Sequence, residues 1–384
     1  MFLKKLKLAG FRNYIDFEQN FNHLKTIIIG QNAQGKSNIL EAINILATSQ
    51  SDRAERDSDI VNWNGEYALI FANIETKDSE IDIALQINNT GRRKLKINGV
   101  PKRAPQADLL GNFFAVMFSC DDLFLIKGTP SVRRKWLDYV LFQLDMKYHK
   151  TLQNYQKAVT QKNALLKKAQ EISMSPKNLK QELEIWNEQI INSGSQILLD
   201  RLVFFKEIQP FARHFLFELS KETEELNLIY ESTIFKDKNE LKADLSYIKE
   251  TFRSMLESSF AEELSRGQAT LGPHRDDLKF LINDKEAKSF ASQGQQRSAV
   301  LALKLAELKV IEKRKGEIPV LLLDDVFAEL DESRQNFLLH HLPENIQTFL
   351  TTTHISDIQK EFLEGAQILK VKNGLILENV ECKT

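Results

Sequence analysis

Two short stretches, far apart in the chain, carry residues whose types and spacing suit phosphate chemistry. The first is G-x-x-x-x-G-K-S, running from Gly30 through Gly35 to Lys36 and Ser37. Its glycines let backbone N–H groups along Gln31, Asn32, Ala33 and Gln34 turn inward on phosphate oxygens. A helix opening at Ser37-Asn38 adds partial positive charge at the same place. Lys36 reaches the β- and γ-phosphates, and the Ser37 hydroxyl can ligate Mg²⁺. The second stretch is the apolar run Ile318 to Leu323, which ends in Asp324 and Asp325. Asp324 would hold Mg²⁺, directly or through water. Asp325 would then sit beside the γ-phosphate, where it can orient or deprotonate an attacking water. The ligand pair these residues imply is ATP with Mg²⁺.

The elements around them are those such a site needs. An apolar strand, Thr26 to Ile29, enters the glycine loop, and a helix continues to about Leu46. Ile318 to Leu323 reads as a buried parallel strand. Lys36 and Asp324 stand 324 − 36 = 288 residues apart. Their strands are expected to be neighbours, so the middle of the chain is an insertion and the α/β domain is split. The division expected is 1–125 for the N-terminal lobe, 126–265 for a helical domain and 266–384 for the C-terminal lobe.

Residues 2–8 read as a strand, and Ile15, Phe17 and Phe21 suggest a second. Residues 48–60 are polar and charged, and are expected to be mobile. A β-rich block follows, alternating over Tyr67 to Glu75, Ile81 to Ile87 and Lys94 to Ile97, with turn signals at 88–91 and Asn98-Gly99. Residues 113–118 form a further apolar strand. From Ser131 the period becomes helical, through Trp136, Val140 and Leu144 and on to about Ala169. Ser175-Pro176 then restarts a helix with a capping residue and proline at its first position. Leu179, Leu183, Trp186 and Ile190 follow at heptad-like spacing. About 35 residues at 1.5 Å each reach only ~50 Å, a short arm rather than a long coiled coil. Leu226 to Tyr230 suggests a strand and 238–264 a helix. Ser292 to Gln296 opens a helix to about Lys315, and another starts at Glu332. Thr348 to Thr352 is a buried strand, and Ile368 to Val380 a hairpin about Asn373-Gly374.

Composition narrows the function classes. The chain has 384 residues, about two domains, with 42% hydrophobic and 27% charged residues, an ordinary globular balance. A formal net charge of −1 supplies no global field for nucleic acid, so any such binding must use local basic patches. Candidates are Arg92, Arg93, Lys94 and Lys96, then Lys102-Arg103, Arg133-Arg134-Lys135 and Lys167-Lys168. The two cysteines, Cys120 and Cys382, make neither a disulfide framework nor a metal cluster. No apolar run approaches the ~20 residues of a membrane span. A soluble cytoplasmic protein, without membrane partners, is expected.

Between the two phosphate motifs lies SQGQQRS (292–298), which resembles the S-G-G-Q signature of ABC-type ATPases with Gln293 in place of the first glycine. Ser292, Gly294 and Gln295 open a helix, so the stretch is either a plain helix cap or a second phosphate cradle. In the ABC family this cradle covers the γ-phosphate of a nucleotide held by a partner subunit. The resemblance thus implies an ATP-dependent homodimer. Ala328-Glu329-Leu330-Asp331 matches the D-loop that lines that interface. His354 matches the switch histidine at the γ-phosphate, or is an ordinary residue after a strand.

The combination GFRNY (10–14), GQNAQGKSNILEAI (30–43), LIKGTPSVRRKWLD (125–138), TLGPHRDDL (270–278), SQGQQRS and LLLDDVFAELD (321–331) is similar to the RecF family, bacterial recombination mediators related to SMC heads. The resemblance implies an α/β ABC-type ATPase head with an inserted helical domain and slow ATP hydrolysis used as a switch. It also implies binding to duplex DNA and single/double-strand junctions, and a role in replication, repair and the SOS response. The implied partners are RecR, usually RecO, and the recombinase RecA, loaded at gapped DNA. Arg12 would reach nucleotide, as an arginine there does in related heads, or is a surface arginine. An SMC-like structural tether is the alternative; the short arm argues against it. A transporter motor subunit has no place for GPHRDD. Gln31 and Ser37 stand where the family more often has Glu and Thr, and Ser keeps the needed hydroxyl. The segment Phe118 to Asp122, near the ABC Q-loop, contains no glutamine. Asp325 replaces the Glu of most ABC enzymes, which places the base one methylene shorter. His274, Arg275 and Asp276 belong to a motif with no chemistry assigned from sequence.

Overall fold

A computed structural model describes residues 1–172, 174–235 and 241–381. Its centre is a six-stranded sheet. In spatial order the strands are Leu375–Glu381, Ala366–Lys372, Lys25–Ile29, Thr348–Thr352, Val320–Asp324 and Ala115–Ser119. The four inner pairings are parallel, and only the edge hairpin is antiparallel. Continuous apolar runs are what such strands need, because both faces are covered. Alternate residues serve two cores. Ile27, Val116, Leu321, Leu323 and Leu350 face the signature helix and the arm. Ile28, Ala115, Val320, Leu322 and Phe349 face the glycine-loop helix and a second sheet.

That second sheet is antiparallel: Tyr14–Asn20, Phe2–Phe11, Tyr67–Glu75, Glu80–Asn88, Arg93–Ile97 and Val100–Lys102. Ala68, Ile70, Ala72 and Ile74 alternate inward along one strand, the period-2 pattern of a sheet with one wet face. The glycine-loop helix, Lys36–Thr48, is packed between the two sheets' cores, with Ile39, Leu40, Ile43 and Leu46 fully buried.

The helical stretch after residue 130 divides where the sequence suggested continuity. Pro130–Leu144 stops, and Asp145 caps a new helix, Met146–Glu171, by accepting from the Lys147 N–H at 2.8 Å. Ser175 caps Pro176–Leu219 with proline at the first turn. This helix has 44 residues and passes through Pro210; at 1.5 Å per residue it is ~66 Å long. Its first turns form the arm tip, where Leu179 and Leu183 meet Leu166 and Ala169. Its second half, with Phe204, Phe205 and Ile208, returns into the main core. The third helix, Leu245–Arg266, starts later than the helix expected over 238–264, and residues 238–240 lie outside the described residues. A small sheet of Leu226–Glu231, Asp277–Ile282 and Lys285–Glu286 closes the base of the arm.

Two expectations need correction. The strands before the glycine loop and before Asp324 are not neighbours, because Thr348–Thr352 lies between and pairs with both. Residues 48–60 are tied down rather than loose. Asn44 donates to Asp52 at 2.6 Å, the Ser51 hydroxyl donates to Glu41, and Arg93 grips Asp57 through two bonds of 2.5 and 2.6 Å. Polar composition there reflects hydrogen bonding, not mobility.

Candidate nucleotide site

The glycine loop is braced from two sides. Gly35 has φ 108°, and a β-carbon there would lie 2.5 Å from Asn13 Nδ2, so only glycine fits. Asn13 donates to the Gln34 carbonyl at 3.0 Å and accepts from Asn38 Nδ2 at 2.8 Å. The Tyr14 hydroxyl donates to the Gly35 carbonyl at 3.1 Å. From the other side, the Asn373-Gly374 turn reaches in. The Asn373 N–H donates to Gln34 Oε1 at 2.7 Å and the Gly374 N–H to the Gln34 carbonyl at 3.1 Å. These bonds brace the loop at Gln34 and Gly35.

Lys36 is 4% exposed, its ammonium 3.3 Å from the Gln31 carbonyl and 3.9 Å from Asp325 Oδ2. Ser37 Oγ donates to Asp324 Oδ1 at 2.7 Å, across 287 residues of sequence. The intervening strand supplies Thr351, whose Oγ1 also donates to Asp324 Oδ1 at 2.7 Å and accepts the Asp325 N–H at 2.9 Å. A hydroxyl and a carboxylate oxygen this close are hard-oxygen donors that fit Mg²⁺, which Ser37 and Asp324 would hold. Among the described residues no group of three His, Cys, Asp or Glu side chains would hold a metal unaided.

Asp325 has φ 54°, a left-handed backbone that costs a non-glycine residue about 1 kcal/mol or more. Burial pushes its carboxyl above the ordinary carboxylate value; Asp324 adds to this and Lys36 opposes it. A carboxylate raised in this way is the stronger base. Cys120 occupies the segment where a Q-loop was sought. Its thiol lies 3.6 Å from the Asp325 carbonyl and 3.9 Å from that of Asp324. Burial, with the neighbouring carboxylates, pushes the thiol up to about 12, so it stays protonated as a donor.

Arg12 sits at φ 51° and forks onto Glu41 of the glycine-loop helix at 2.5 and 3.0 Å, with a third bond to the Asp59 carbonyl at 2.8 Å. Its guanidinium is engaged with the protein one turn along from Ser37.

Ser292 caps the helix Gln293–Lys315 in a reciprocal box with Gln295. Gln295 Nε2 donates to Glu224 at 2.9 Å, and the Gly294 carbonyl accepts from Arg334 at 3.0 Å. None of these contacts is to the glycine loop. Arg334 also holds Ser298 Oγ at 3.0 Å and pairs with Asp331, while Arg297 donates to the Glu329 carbonyl at 2.8 Å. The signature turn and the D-loop are thereby fastened into one surface. His354 is exposed, and its ring lines a hollow of about 390 Å³ together with Ile29 and Lys370.

Known proteins resemble this chain in both sequence and fold. The model described as "RecF/RecN/SMC N terminal domain" matches residues 2–376. The DNA replication and repair protein RecF of Cyanothece sp. is 41% identical over 382 residues, covering 100% of this chain and 99% of that protein. The chain belongs to the RecF family. A solved structure of the recombination mediator protein RecF-ATPrS in the RecFOR pathway superposes with TM-score 0.89 at 33% identity, over 99% of this chain and 98% of that one. An Smc head domain from Pyrococcus furiosus gives TM-score 0.53 at 19% identity, over 99% of this chain and 96% of that one, a likeness of fold. The fold is therefore that of the RecF and SMC heads, an ABC-type ATPase head.

Within this family member, the motif Gly272-Pro273-His274-Arg275-Asp276-Asp277 is the joint between arm and head. Gly272 has φ 120°, and a β-carbon there would meet the Tyr155 hydroxyl at 2.3 Å. That hydroxyl is 2.6 Å from His274 Nδ1. Asp276, 1% exposed, accepts from the Tyr230 hydroxyl and from the Thr233 N–H and hydroxyl, at 2.7 to 2.8 Å. Arg133 forks onto Asp277 at 2.7 and 2.9 Å. Two of the basic clusters thus contain arginines already committed to the protein, Arg93 to Asp57 and Arg133 to Asp277. Among the described residues no helix is long and apolar enough to cross a membrane.

Sequence reasoning missed Asn13, Thr351 and Arg334. Asn13 stood inside a motif noted for resemblance, and Thr351 inside a Thr-Thr-Thr run. Neither type nor spacing betrays which distant partner a short polar side chain will meet.

Proposed function

We propose that the chain is an ATP-dependent DNA-binding switch in recombinational repair. The observation that carries this is the 2.7 Å bond from Ser37 to Asp324, with Lys36 and Asp325 beside it. Gly30 to Asn38 cradle the phosphates. Lys36 neutralises charge on the β- and γ-phosphates, and Ser37 with Asp324 would hold Mg²⁺, which when bound screens the phosphate charge. Asp325 orients the attacking water and takes its proton, with slow turnover. Ser292, Gly294 and Gln295 of a second copy cap the γ-phosphate, and His354 contacts it from the first. Arg12 reaches the nucleotide by exchanging Glu41. The absence, among the described residues, of any hydrogen bond from Ser292, Gly294 or Gln295 to the glycine loop supports a site completed by another copy.

On this reading ATP closes a homodimer that clamps duplex DNA, including single/double-strand junctions, and hydrolysis releases it. The work is done in the cytoplasm with RecR and RecO, and promotes RecA loading at gaps. The names of the relatives, a DNA replication and repair protein and a recombination mediator, support this role.

The test is solution mass with and without ATP, in wild type and Lys36→Ala, with and without duplex DNA. ATP should double the mass of wild type only, and the ATP form should retain DNA more strongly. A dimer independent of ATP, or an ATP form indifferent to DNA, sinks the proposal.

A further inference from the structure

A cleft of about 390 Å³ lies where the first arm helix meets the helix Pro130–Leu144. Its charge is unbalanced. Arg134, Lys135 and Arg201 line it against one carboxylate, Asp138. Its Oδ1 accepts from Arg201 Nη2 at 2.8 Å and from the Tyr148 hydroxyl at 2.6 Å. Among the described residues Lys135 Nζ donates only to the Asp52 carbonyl, at 3.3 Å, and lies 5.3 Å over the Tyr139 ring.

Arg134 is the centre of the cleft's chemistry. Its one hydrogen bond among the described residues uses Nη1, which donates to the Asp276 carbonyl at 2.7 Å. Nε and Nη2 remain, a fork that matches an oxyanion. Burial and the nearby Arg201 disfavour its charge, while Asp277, Asp276 and Asp138 favour it.

A second observation concerns His149, also on the cleft wall. It is 3% exposed, and its Nδ1 has no hydrogen-bond partner. A buried polar atom left unpaired costs about 1–3 kcal/mol. His149 and Gln153 line this cleft and also an adjoining hollow of about 280 Å³.

We propose that the cleft binds a small organic oxyanion, a phosphate or carboxylate group on a polar body. Arg134 and Lys135 hold the anion, and His149 and Gln153 bond the body. The volume is that of a small-molecule site. Gln50 on its wall directly follows Ser49, the C-cap of the glycine-loop helix, while Gln153 belongs to the arm. An occupant therefore touches both, and its binding couples arm position to the nucleotide site.

The experiment is calorimetric titration of the full chain carrying Lys36→Ala, so that the glycine loop does not compete. The probes are inorganic phosphate, ribose 5-phosphate and citrate. At least one should bind with a Kd of about 1 mM or tighter, and the preferred probe identifies phosphate or carboxylate as the anion. Arg134→Gln should weaken that binding about tenfold or more. Gln153→Glu, at an exposed arm position, should do the same by repulsion, and decides the matter if the arginine variant fails to fold. No binding by any probe, or binding undiminished in Gln153→Glu, overturns the proposal. Displacement of the bound probe by a short DNA duplex overturns the small-molecule assignment.

Discussion

Asp325 combines a left-handed backbone, partial burial and an ammonium 3.9 Å away. Asp325→Asn keeps its shape and removes the base. Phosphate release should fall by about 10²–10⁴-fold, while the ATP-bound dimer should persist in gel filtration far longer than in wild type. A variant that stays monomeric with ATP would show that Asp325 is not the hydrolytic residue. His274 gives the chain an acid sensitivity. Burial first, then Arg275, Arg134 and Lys162, push its imidazole from 6.5 to about 4. The unfolded chain thus takes up a proton between these values that the folded chain refuses. The stability is full above pH 6.5 and is lost as pH falls towards about 4, by at most about 3 kcal/mol. Urea unfolding at about pH 7 and about pH 5 should show this loss in wild type and a smaller one in His274→Gln.

At the scale of elements, the glycine loop depends on segments from both ends of the chain. Asn13 in the first β-turn and Asn373-Gly374 in the last both hold Gln34. Asn13→Ala removes its side-chain bonds with Gln34 and Asn38, worth about 1 kcal/mol each net. Nucleotide affinity should drop about tenfold in a fluorescent-nucleotide titration, with circular dichroism unchanged. Unaltered affinity would mean the loop is shaped by its ligand instead. The same logic applies to the signature turn. Arg297 and Arg334 fix it to the D-loop, so movement in either surface is transmitted to the other.

For the whole molecule, the arm is held by a buried ion pair. Lys162 Nζ and Glu263 Oε2 are 2.6 Å apart, and both side chains are nearly inaccessible. Glu263 also accepts the Thr270 N–H at 3.1 Å, at the start of the joint motif. Lys162→Met strands that carboxylate and should cost about 3–5 kcal/mol. Lys162→Met with Glu263→Leu should recover most of it in thermal unfolding. If the double variant is no better than the single one, the pair is not what fixes the arm.

The sequence by itself determined the parts whose physics is local. Glycine spacing, a lysine and a hydroxyl specify a phosphate loop. Ser175-Pro176 specifies a helix start, and apolar runs ending in acid specify a buried strand with its carboxylates at the mouth. The 288-residue gap between Lys36 and Asp324 made a split domain legible. Strand order was not legible, because pairing of distant strands leaves no mark on either. Only the tertiary structure put Thr348–Thr352 between the two motif strands, and with it Thr351 onto Asp324. It also decided which arginines are spent on carboxylates, such as Arg12 on Glu41 and Arg133 on Asp277, and which, like Arg134, keep a free fork. A charge in a sequence names a possible partner; only the fold says which one is within 3 Å.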